Sequence, residues 1–289
     1  MQLHLIDGTY ELFRAHFGVP SRTSPDGREV GGTYGITAAT LAVLAEAGVS
    51  HVAAAFDTVI ESFRNDLYPG YKTSAGIDPH LLAQFPLAEE AMRAVGVVVW
   101  SMYEHETDDA LATAATRWAE SVERVVVHSP DKDMYQLYGH PRVTGYDRRN
   151  RRFIAAADVV AKFGVPPSSI PDYLALVGDT ADGYPGLPGW GAKSSAAVLA
   201  RYRTIEAIPD DPSAWDVDVR GAPRLAAALA GARAEALLYK DLATLRRDVP
   251  ITEQLADLEW RGVPRAPFLE LCDRYGFDEL RHRPPRWAD

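Results

Sequence analysis

Acidic residues follow four successive apolar runs of the chain, each where a β-strand is predicted to end. Asp7 and Asp57 end the first two runs, and Asp131 and Asp133 follow the fourth. In open α/β sheets, binding sites form beyond the carboxyl ends of the strands, so we expect these acids at one edge of a sheet. After the third run comes an acidic group at the entry to a helix: Glu106, Asp108 and Asp109.

Each acid alone has an ordinary explanation. A single Asp after a strand is usually a helix N-cap, Glu106 and Asp109 could complement a helix dipole, and Asp131-Lys132-Asp133 could be a solvated turn. The recurrence at every strand end is what these explanations do not predict. Two like charges about 4 Å apart cost about 1 kcal/mol even in water. Hard divalent cations relieve that cost, so the acids together predict a site for Mg²⁺ or Mn²⁺.

A second motif reads LVGDTADGYPGLPGWGAK, from Leu176 to Lys193. It adds two acids, Asp179 and Asp182, and a glycine-rich turn that leads into a helix near Ala192. Glycines let backbone groups approach a phosphate chain closely. Taken alone, the turn indicates either nucleic-acid contact or ordinary helix packing. The glycines and the lysine concerned are Gly189, Gly191 and Lys193.

The elements that must position these residues alternate between strands and helices in the first half, as in a parallel sheet covered by helices. Gly31 and Gly32 precede one helix and could admit a phosphate or form a simple turn. The basic turn with Arg148 and Arg149 joins two strands of a hairpin and could contact duplex phosphates or be solvated. The predicted strands are Leu3–Ile6, His51–Phe56, Gly96–Trp100, Arg124–His128, Arg142–Tyr146 and Arg152–Ile154, and the predicted helices include Tyr34–Ala47 and Asp108–Glu120.

Other segments lack this alternation. Phe63–Gln84 has few long apolar runs and is predicted to be a loop over the end of the sheet. Beyond about Asp158 the pattern changes: Val165–Tyr202 is predicted to be a helix, a glycine-rich turn and a helix, and Ala222–Leu245 is predicted to be helical. His282–Asp289 carries two prolines and is predicted to be a tail.

Composition leaves the partner open. The net charge is −10, which argues against nucleic acid, yet clustered acids that bind cations would leave basic residues elsewhere to touch phosphates. The single cysteine, Cys272, excludes an internal disulfide and a cysteine-based zinc cluster. There is no secretory apolar stretch and no run long enough to span a membrane, so a cytoplasmic protein is expected.

Seven motifs in order resemble the 5′-nuclease, or flap endonuclease, family, especially bacterial stand-alone forms and the 5′-nuclease domain of bacterial DNA polymerase I. The resemblance covers residues 1 to about 205. The motifs are IDG at Ile6–Gly8, YGIT at Tyr34–Thr37, AAAFD at Ala53–Asp57, SFRNDLYPGYK at Ser62–Lys72, ETDDALAT at Glu106–Thr113, SPDKDMYQL at Ser129–Leu137 and GDTADGYPGLPGWGAKSS at Gly178–Ser195.

The resemblance implies an α/β fold: a PIN-like core with a mostly parallel twisted sheet flanked by helices, plus a helix–three-turn–helix DNA-binding module. Residues 1–160 would form the catalytic core, with an arch or gateway loop at about 63–84. Residues 161–289 would form the DNA-binding module and the C-terminal helices. A monomer is expected, since the family is mostly monomeric.

The resemblance also implies roles for individual residues. Lys72 and Arg64 match basic residues at the base of the arch, and Lys193 with the Gly189–Gly191 turn matches the strand-gripping element, which in the family also binds K⁺. Two or more Mg²⁺ or Mn²⁺ ions are implied. The acids around the first metal would be Asp7, Asp57, Glu106, Asp108 and Asp109, and those around the second Asp131, Asp133, Asp179 and Asp182.

Two positions depart from the family pattern. Gly183 stands where the family often has Asn, which puts a supporting hydrogen bond in doubt. Ala75 stands where an Arg is often found, which puts the threading of flaps in doubt.

The function expected is phosphodiester hydrolysis in DNA with 5′ flaps, gaps, nicks or 5′ ends, with two metals about 4 Å apart in an in-line displacement. Lys72 would stabilise charge in the transition state, or be a solvated loop lysine. Tyr68 and Tyr71 could stack on an unpaired base or pack within the loop. The alternatives are a non-catalytic relative that binds DNA structures, which would lack metal ligands, and a PIN-type ribonuclease, which would lack the glycine-rich module.

Overall fold

The computed structural model describes residues 1–148 and 150–288. Arg149, one of the residues predicted to contact DNA, therefore lies outside the described residues. All six predicted strands are present, each within two residues of its expected bounds. They are β1 (Gln2–Asp7), β2 (Val49–Asp57), β3 (Val98–Met102), β4 (Arg124–His128), β5 (Val143–Asp147) and β6 (Arg152–Ile154).

Twelve α-helices occur among the described residues, including the two predicted between the first strands, each within three residues of its expected bounds. The helices are α1 (Gly8–Gly18), α2 (Gly31–Leu44), α3 (Phe63–Leu67), α4 (Pro79–Leu82), α5 (Phe85–Ala94), α6 (Thr107–Trp118), α7 (Ala156–Phe163), α8 (Ile170–Val177), α9 (Ala192–Tyr202), α10 (Ala222–Gly231), α11 (Arg233–Ala243) and α12 (Arg265–Tyr275). None of the helices in the described part of the chain has both the length and the apolar character needed to cross a bilayer.

The chain folds as two compact units. The first unit comprises Met1–Ile60, Ser74–Ser129 and Arg247–Asp289, and the second comprises Glu61–Thr73 and Pro130–Arg246. This division differs from the expected one near residue 160, because the C-terminal segment packs within the first unit. The expected boundary between a catalytic core and a DNA-binding module therefore stays a prediction about function.

The first unit is built on parallel strands in the order β3-β2-β1-β4. Leu3, Leu5 and Val127 are fully buried, as in parallel strands covered by helices on both faces. Helices α1, α2, α5 and α12 bury their apolar faces in one core, to which α12 contributes Phe268. Trp287 packs its ring 6.1 Å from that of Phe268, so the predicted C-terminal tail is wrong as far as this residue.

The second unit contains the antiparallel hairpin β5–β6, which confirms the prediction of a hairpin, and the helices α7 to α11. Between α8 and α9 the glycine-rich turn closes on itself, where the backbone N–H of Leu187 donates to the carbonyl of Leu176 at 2.9 Å. The helical prediction for Ala222–Leu245 is confirmed as two helices, α10 and α11, which are separated at Ala232.

The loop predicted over Phe63–Gln84 is corrected in part, since the segment contains the short helices α3 and α4 at its two ends. Helix α3 begins at the cap Ser62, whose backbone N–H donates to Asn65 Oδ1 at 2.8 Å. Helix α4 begins at the cap Asp78 with Pro79 in its first turn. Both are short helices with strong local caps, a signal that apolar periodicity does not register.

Candidate metal centre

Asp7 lies at the carboxyl end of β1 and is 5% exposed. Its Oδ1 accepts a hydrogen bond from the backbone N–H of Tyr10 at 2.8 Å, so it caps α1. Its Oδ2 accepts from the hydroxyl of Ser129, also at 2.8 Å. Ser129 directly follows β4, so the end of one strand orients the acid that ends its neighbour.

Asp57 ends β2, next to Asp7 in the sheet, because Asp7 pairs with Ala55 in the parallel register. Its Oδ1 accepts from the backbone N–H of Thr107, the first residue of α6, at 2.6 Å. The hydroxyls of Thr107 and Thr9 lie 3.0 Å apart. These contacts bring the first turns of α1 and α6 to the same strand end.

Glu106 and Asp109 are buried at the N-terminus of α6, where Asp109 Oδ2 accepts from the backbone N–H of Glu106 at 3.1 Å. Asp108, between them, is half-buried. The positive end of the α6 dipole stabilises acids here. The first unit therefore gathers the five acids expected around the first metal at one edge of its sheet.

In the second unit, Asp133 is 5% exposed and begins the turn after β4. Its backbone N–H donates to Asp131 Oδ1 at 3.0 Å. Its own Oδ1 is buried and has no hydrogen-bond partner among the described residues. Burial, together with the charges of Asp131 and Asp182, raises the pKa of Asp133 well above its ordinary value. Arg64 and Lys72 oppose that rise.

Asp179 is 3% exposed and follows α8. Its Oδ1 accepts from the backbone N–H of Ala181 at 3.0 Å, and its Oδ2 accepts from Lys132 Nζ at 2.5 Å. Burial lowers the pKa of Lys132, but the hydrogen bond to Asp179 and nearby acids raise it above its ordinary value overall. The sequence analysis assigned no role to Lys132 beyond a solvated turn.

Lys72 lies in the segment that follows α3. Its ammonium stands 3.1 Å from Asp182 Oδ1, and its backbone N–H donates to the carbonyl oxygen of Asp182 at 3.0 Å. The lysine side chain is 29% exposed, so it can reach a ligand at the surface. Main chain and side chain together tie Lys72 to the acidic turn.

Arg64, the other basic residue assigned to catalysis, is only 1% exposed. Its Nε donates to the carbonyl of Leu242 at 2.8 Å and its Nη2 to that of Thr244 at 3.2 Å. These carbonyls lie at the C-terminus of α11, where a cation complements the helix dipole. Because Arg64 is buried, it cannot contact a ligand at the surface. It acts on Asp133 electrostatically from inside the unit, which is the placement of a positioning residue.

Tyr68 and Tyr71 had two alternatives, stacking on a base or packing within the loop, and their placement favours packing. Tyr71 is 3% exposed, so its ring packs inside the unit and is not offered to a base. Tyr68 is half-buried, with its ring 5.6 Å from that of Tyr239. Tyr239 also stacks on Tyr184 at 5.5 Å, in the bridge to Asp179. Packing within the unit explains both positions. Through Tyr239 and Tyr184, the ring of Tyr68 also supports the turn that contains Asp179.

Gly31 and Gly32 are buried at the start of α2. The backbone N–H of Gly31 donates to the carboxylate of Glu29 at 2.8 Å, so an acid of the chain already occupies this helix N-terminus. A phosphate would have to displace Glu29, and the phosphate contact expected at these glycines is not supported by their placement.

The glycine-rich turn before α9 is open. Gly189, Gly191 and Lys193 are all exposed, and Gly189 has a φ of +85°. A Cβ on Gly189 would stand 3.4 Å from the guanidinium of Arg224, a residue that sequence analysis missed. Arg148, at the hairpin, is half-buried. The turn therefore combines exposed glycine backbone, which a phosphate could approach, with the cationic side chains of Lys193 and Arg224.

Within the described part of the chain, no three His, Cys, Asp or Glu side chains are grouped so that they could hold a metal ion in this arrangement. Backbone N–H groups, hydroxyls and lysines instead contact most of these acids, whereas Asp133 Oδ1 has no hydrogen-bond partner among the described residues. Besides Arg224, the residues that sequence analysis missed are those partners. These missed residues are Ser129, Thr107, Thr9 and Lys132. Of the four, only Lys132 carried a local signal in the sequence, because it lies between two aspartates.

Two family models match the chain. One, described as 5′-3′ exonuclease, N-terminal resolvase-like domain, matches residues 2–164, and the other, described as 5′-3′ exonuclease, C-terminal SAM fold, matches residues 165–266. Together they cover almost the whole chain, and they confirm the resemblance stated from the motifs.

Relatives and a solved structure agree. DNA polymerase I of Mycobacterium tuberculosis is 33% identical over 288 residues, which cover 97% of this chain but 31% of the relative. A 5′-3′ exonuclease of Aquifex aeolicus is 30% identical over 223 residues, 77% of this chain and 76% of the relative. The bacteriophage T5 D15 flap endonuclease, solved with DNA and metal ions, shares the fold, with a TM-score of 0.64 at 18% identity over 84% of this chain and 89% of that one.

Proposed function

This chain belongs to the 5′-3′ exonuclease family, and on that premise we propose that it is a structure-dependent 5′-nuclease. It hydrolyses DNA phosphodiesters at 5′ flaps, gaps, nicks and 5′ ends, with 5′-3′ exonuclease and flap endonuclease action in replication and repair. It acts as a monomer and requires divalent cations. Its likeness to a flap endonuclease solved with DNA and metal ions supports this proposal.

The observation that carries the proposal is the state of Asp133. Its carboxylate is buried, one oxygen has no hydrogen-bond partner among the described residues, and two other acids raise its pKa. A buried charge without a partner is costly and is normally paired or bound to a metal. An all-oxygen set of carboxylates suits Mg²⁺ or Mn²⁺. The donor chemistry of these residues therefore fits a hard divalent cation, which on binding would draw the acids closer together than they stand among the described residues.

The acids divide between two cation sites. We assign one to the first unit and one to the second, and bound cations there would activate a water and neutralise the leaving 3′ oxygen. In the first unit, Ser129 and the N-terminus of α6 orient Asp7 and Asp57. The ligands would be Asp7, Asp57, Glu106, Asp108 and Asp109 for the first site, and Asp131, Asp133, Asp179 and Asp182 for the second.

The basic residues have separate roles in this proposal. Lys72 is part-exposed and contacts the substrate phosphate, where its charge stabilises the transition state. Arg64 is buried and bonded to main-chain carbonyls, so it holds α3 and supplies positive potential without touching DNA.

The duplex is held by the open turn before α9. Exposed backbone at Gly189 and Gly191, with Lys193 in the first turn of an 11-residue helix, suits a phosphate or the K⁺ that bridges to one. Arg224 adds a cation at the same turn. These contacts read no base sequence, so recognition rests on DNA structure.

The test is a cleavage map. Duplexes labelled at the 5′ end and carrying a flap, gap or nick are incubated with Mg²⁺ or Mn²⁺, and with EDTA, beside single-stranded DNA and RNA. We expect cutting of the branched and gapped DNA that EDTA abolishes. Binding of the flap without cutting under any metal would indicate a non-catalytic relative, and preferential cutting of single-stranded RNA would indicate a ribonuclease.

A further inference from the structure

Lys132 makes a close ion pair with one of the proposed metal ligands, Asp179. Its Nζ lies 2.5 Å from Asp179 Oδ2, across 47 residues of sequence. Asp131 and Asp133 flank it in the chain and act on it electrostatically. One ammonium thus contacts one of the four acids assigned to the second unit's cation and interacts electrostatically with two more.

The two partners differ in burial. The Asp179 side chain is 4% exposed, whereas that of Lys132 is 46% exposed. A buried carboxylate that loses its partner is destabilised, while a surface lysine that leaves is simply hydrated. When another cation replaces the ammonium at Asp179, hydration of the released Lys132 side chain therefore offsets most of the interaction that it loses. A lysine that was only solvated would not lie 2.5 Å from a buried carboxylate, as Lys132 Nζ lies from Asp179 Oδ2.

We propose that Lys132 is a resident counter-cation: its ammonium neutralises Asp179 until a divalent cation binds, and the cation must displace it. The inference rests on the proposed function, because it assumes that Asp179 is a metal ligand. Lys132 thereby sets the cation concentration at which the second site fills. It is a positioning residue and touches no substrate.

Lys72 does not share this role. Its contact with Asp182 is longer, at 3.1 Å, and its backbone bond to the same residue keeps it in place when the side chain moves. Lys132 is held in the acidic turn by Asp179 alone among the hydrogen bonds of its side chain that the structure describes. The lysine that leaves on cation binding is therefore Lys132.

The test is calorimetric titration of the full chain with Mn²⁺, without DNA, at fixed ionic strength. Lys132→Met removes the competitor, and we expect Mn²⁺ to bind the second site roughly threefold to fivefold more tightly, as for loss of a half-exposed ion pair. Lys132→Arg keeps the charge and should bind no more tightly than the wild type.

The matched control is Lys162→Met, which removes the same charge from the same unit. Lys162 is exposed, and its Nζ donates to Tyr135 Oη at 2.8 Å. It should leave Mn²⁺ affinity within about twofold of wild type, since its charge is screened from the acids. Equal tightening by both methionine variants would overturn the proposal, because net charge alone would explain it.

A failure of the proposed function would look different. If Mn²⁺ bound to none of the proteins, both the metal-dependent function and this inference would be overturned. If Mn²⁺ bound, and bound Lys132→Met no more tightly than wild type, only the inference would be overturned. Thermal melting of each variant shows that the fold is kept.

Release of the ammonium can be followed directly. An amine-reactive ester, with mass spectrometry of the modified sites, reports how readily each lysine reacts with and without Mg²⁺. We expect modification of Lys132 to rise several-fold with Mg²⁺ while the exposed Lys193 reacts as before. An unchanged or lower rate at Lys132 would contradict displacement.

Discussion

Gly183 lies against Gly70 so closely that a Cβ on Gly183 would stand 2.2 Å from the Gly70 carbonyl oxygen. Gly183 also has a φ of +89°, a backbone conformation that residues other than glycine adopt only with strain. This is the position at which the family often carries Asn. The substitution by glycine is therefore matched to a close approach between the acidic turn and the segment that carries Lys72.

Gly183→Ala should destabilise the protein by about 2 kcal/mol or more, because a methyl group at positive φ meets backbone that cannot move away. Urea denaturation measures the loss. Gly231→Ala is the control, since Gly231 ends α10 and has no atom within 4 Å of its would-be Cβ. The control should be neutral or slightly stabilised. Equal stability of both variants would show that the approach to Gly70 is not tight.

Asp133→Asn should lower flap cutting by about 100-fold or more, because the neutral amide no longer brings a negative charge to a divalent cation. Binding of the flap should stay within about threefold of wild type, as measured by fluorescence anisotropy in EDTA. Asp210→Asn is the control, because Asp210 is exposed and pairs with Arg233. Normal cutting by Asp133→Asn with either metal would remove Asp133 from the site.

Asp133→Asn should also raise stability when no divalent cation is present. Burial and two neighbouring acids penalise the charged form of Asp133, and the neutral amide avoids that penalty. A higher midpoint in urea at neutral pH, in EDTA, is expected. A lower midpoint would mean that the carboxylate is well satisfied by contacts of its own.

Lys72 and Arg64 should separate catalysis from positioning. Lys72→Met should cut about 100-fold more slowly with a stability change below about 1 kcal/mol, since its ion pair is part-exposed. Arg64→Met should lose about 2–4 kcal/mol, because it strips buried carbonyls of their donor. Urea denaturation and single-turnover cutting on flap DNA measure both. Equal stability of the two variants would contradict the separation.

Stability should fall between about pH 6.5 and pH 4 because of His4. Burial lowers the pKa of His4 to about 4, and its Nδ1 lies 2.9 Å from His128 Nε2. The unfolded chain binds a proton below about 6.5 that the folded protein does not, so up to about 3 kcal/mol is lost on acidification and is fully present above that pH. His4→Leu should flatten this part of the curve, measured by urea denaturation at each pH. An unchanged slope would mean that His4 is charged in the fold.

The strands and the order of the acids could be predicted from the sequence, because runs such as Arg124–His128 are short, β-branched and each followed by an acid. Those signals are local. Helices α3 and α4 were missed because each is short and depends on a cap, Ser62 or Asp78, more than on apolar periodicity.

The partners of the acids could not be predicted, because they depend on how distant segments meet. Arg64 bonds carbonyls 178 residues away, and Lys132 pairs with an acid 47 residues away. Chemistry at a strand end was readable from residue type, whereas burial of Tyr71 and of Arg64 followed from packing. The sequence pattern thus singled out the candidate acids but not the residues that neutralise and orient them.

The account depends on divalent cations being held by the buried acids, and an anomalous difference map from a crystal soaked in Mn²⁺ tests it most directly. We expect peaks bonded to carboxylate oxygens of Asp133 and Asp182 in the second unit and of Asp7 and Asp57 in the first. Manganese peaks only elsewhere on the protein, with Lys132 still bound to Asp179, would contradict it.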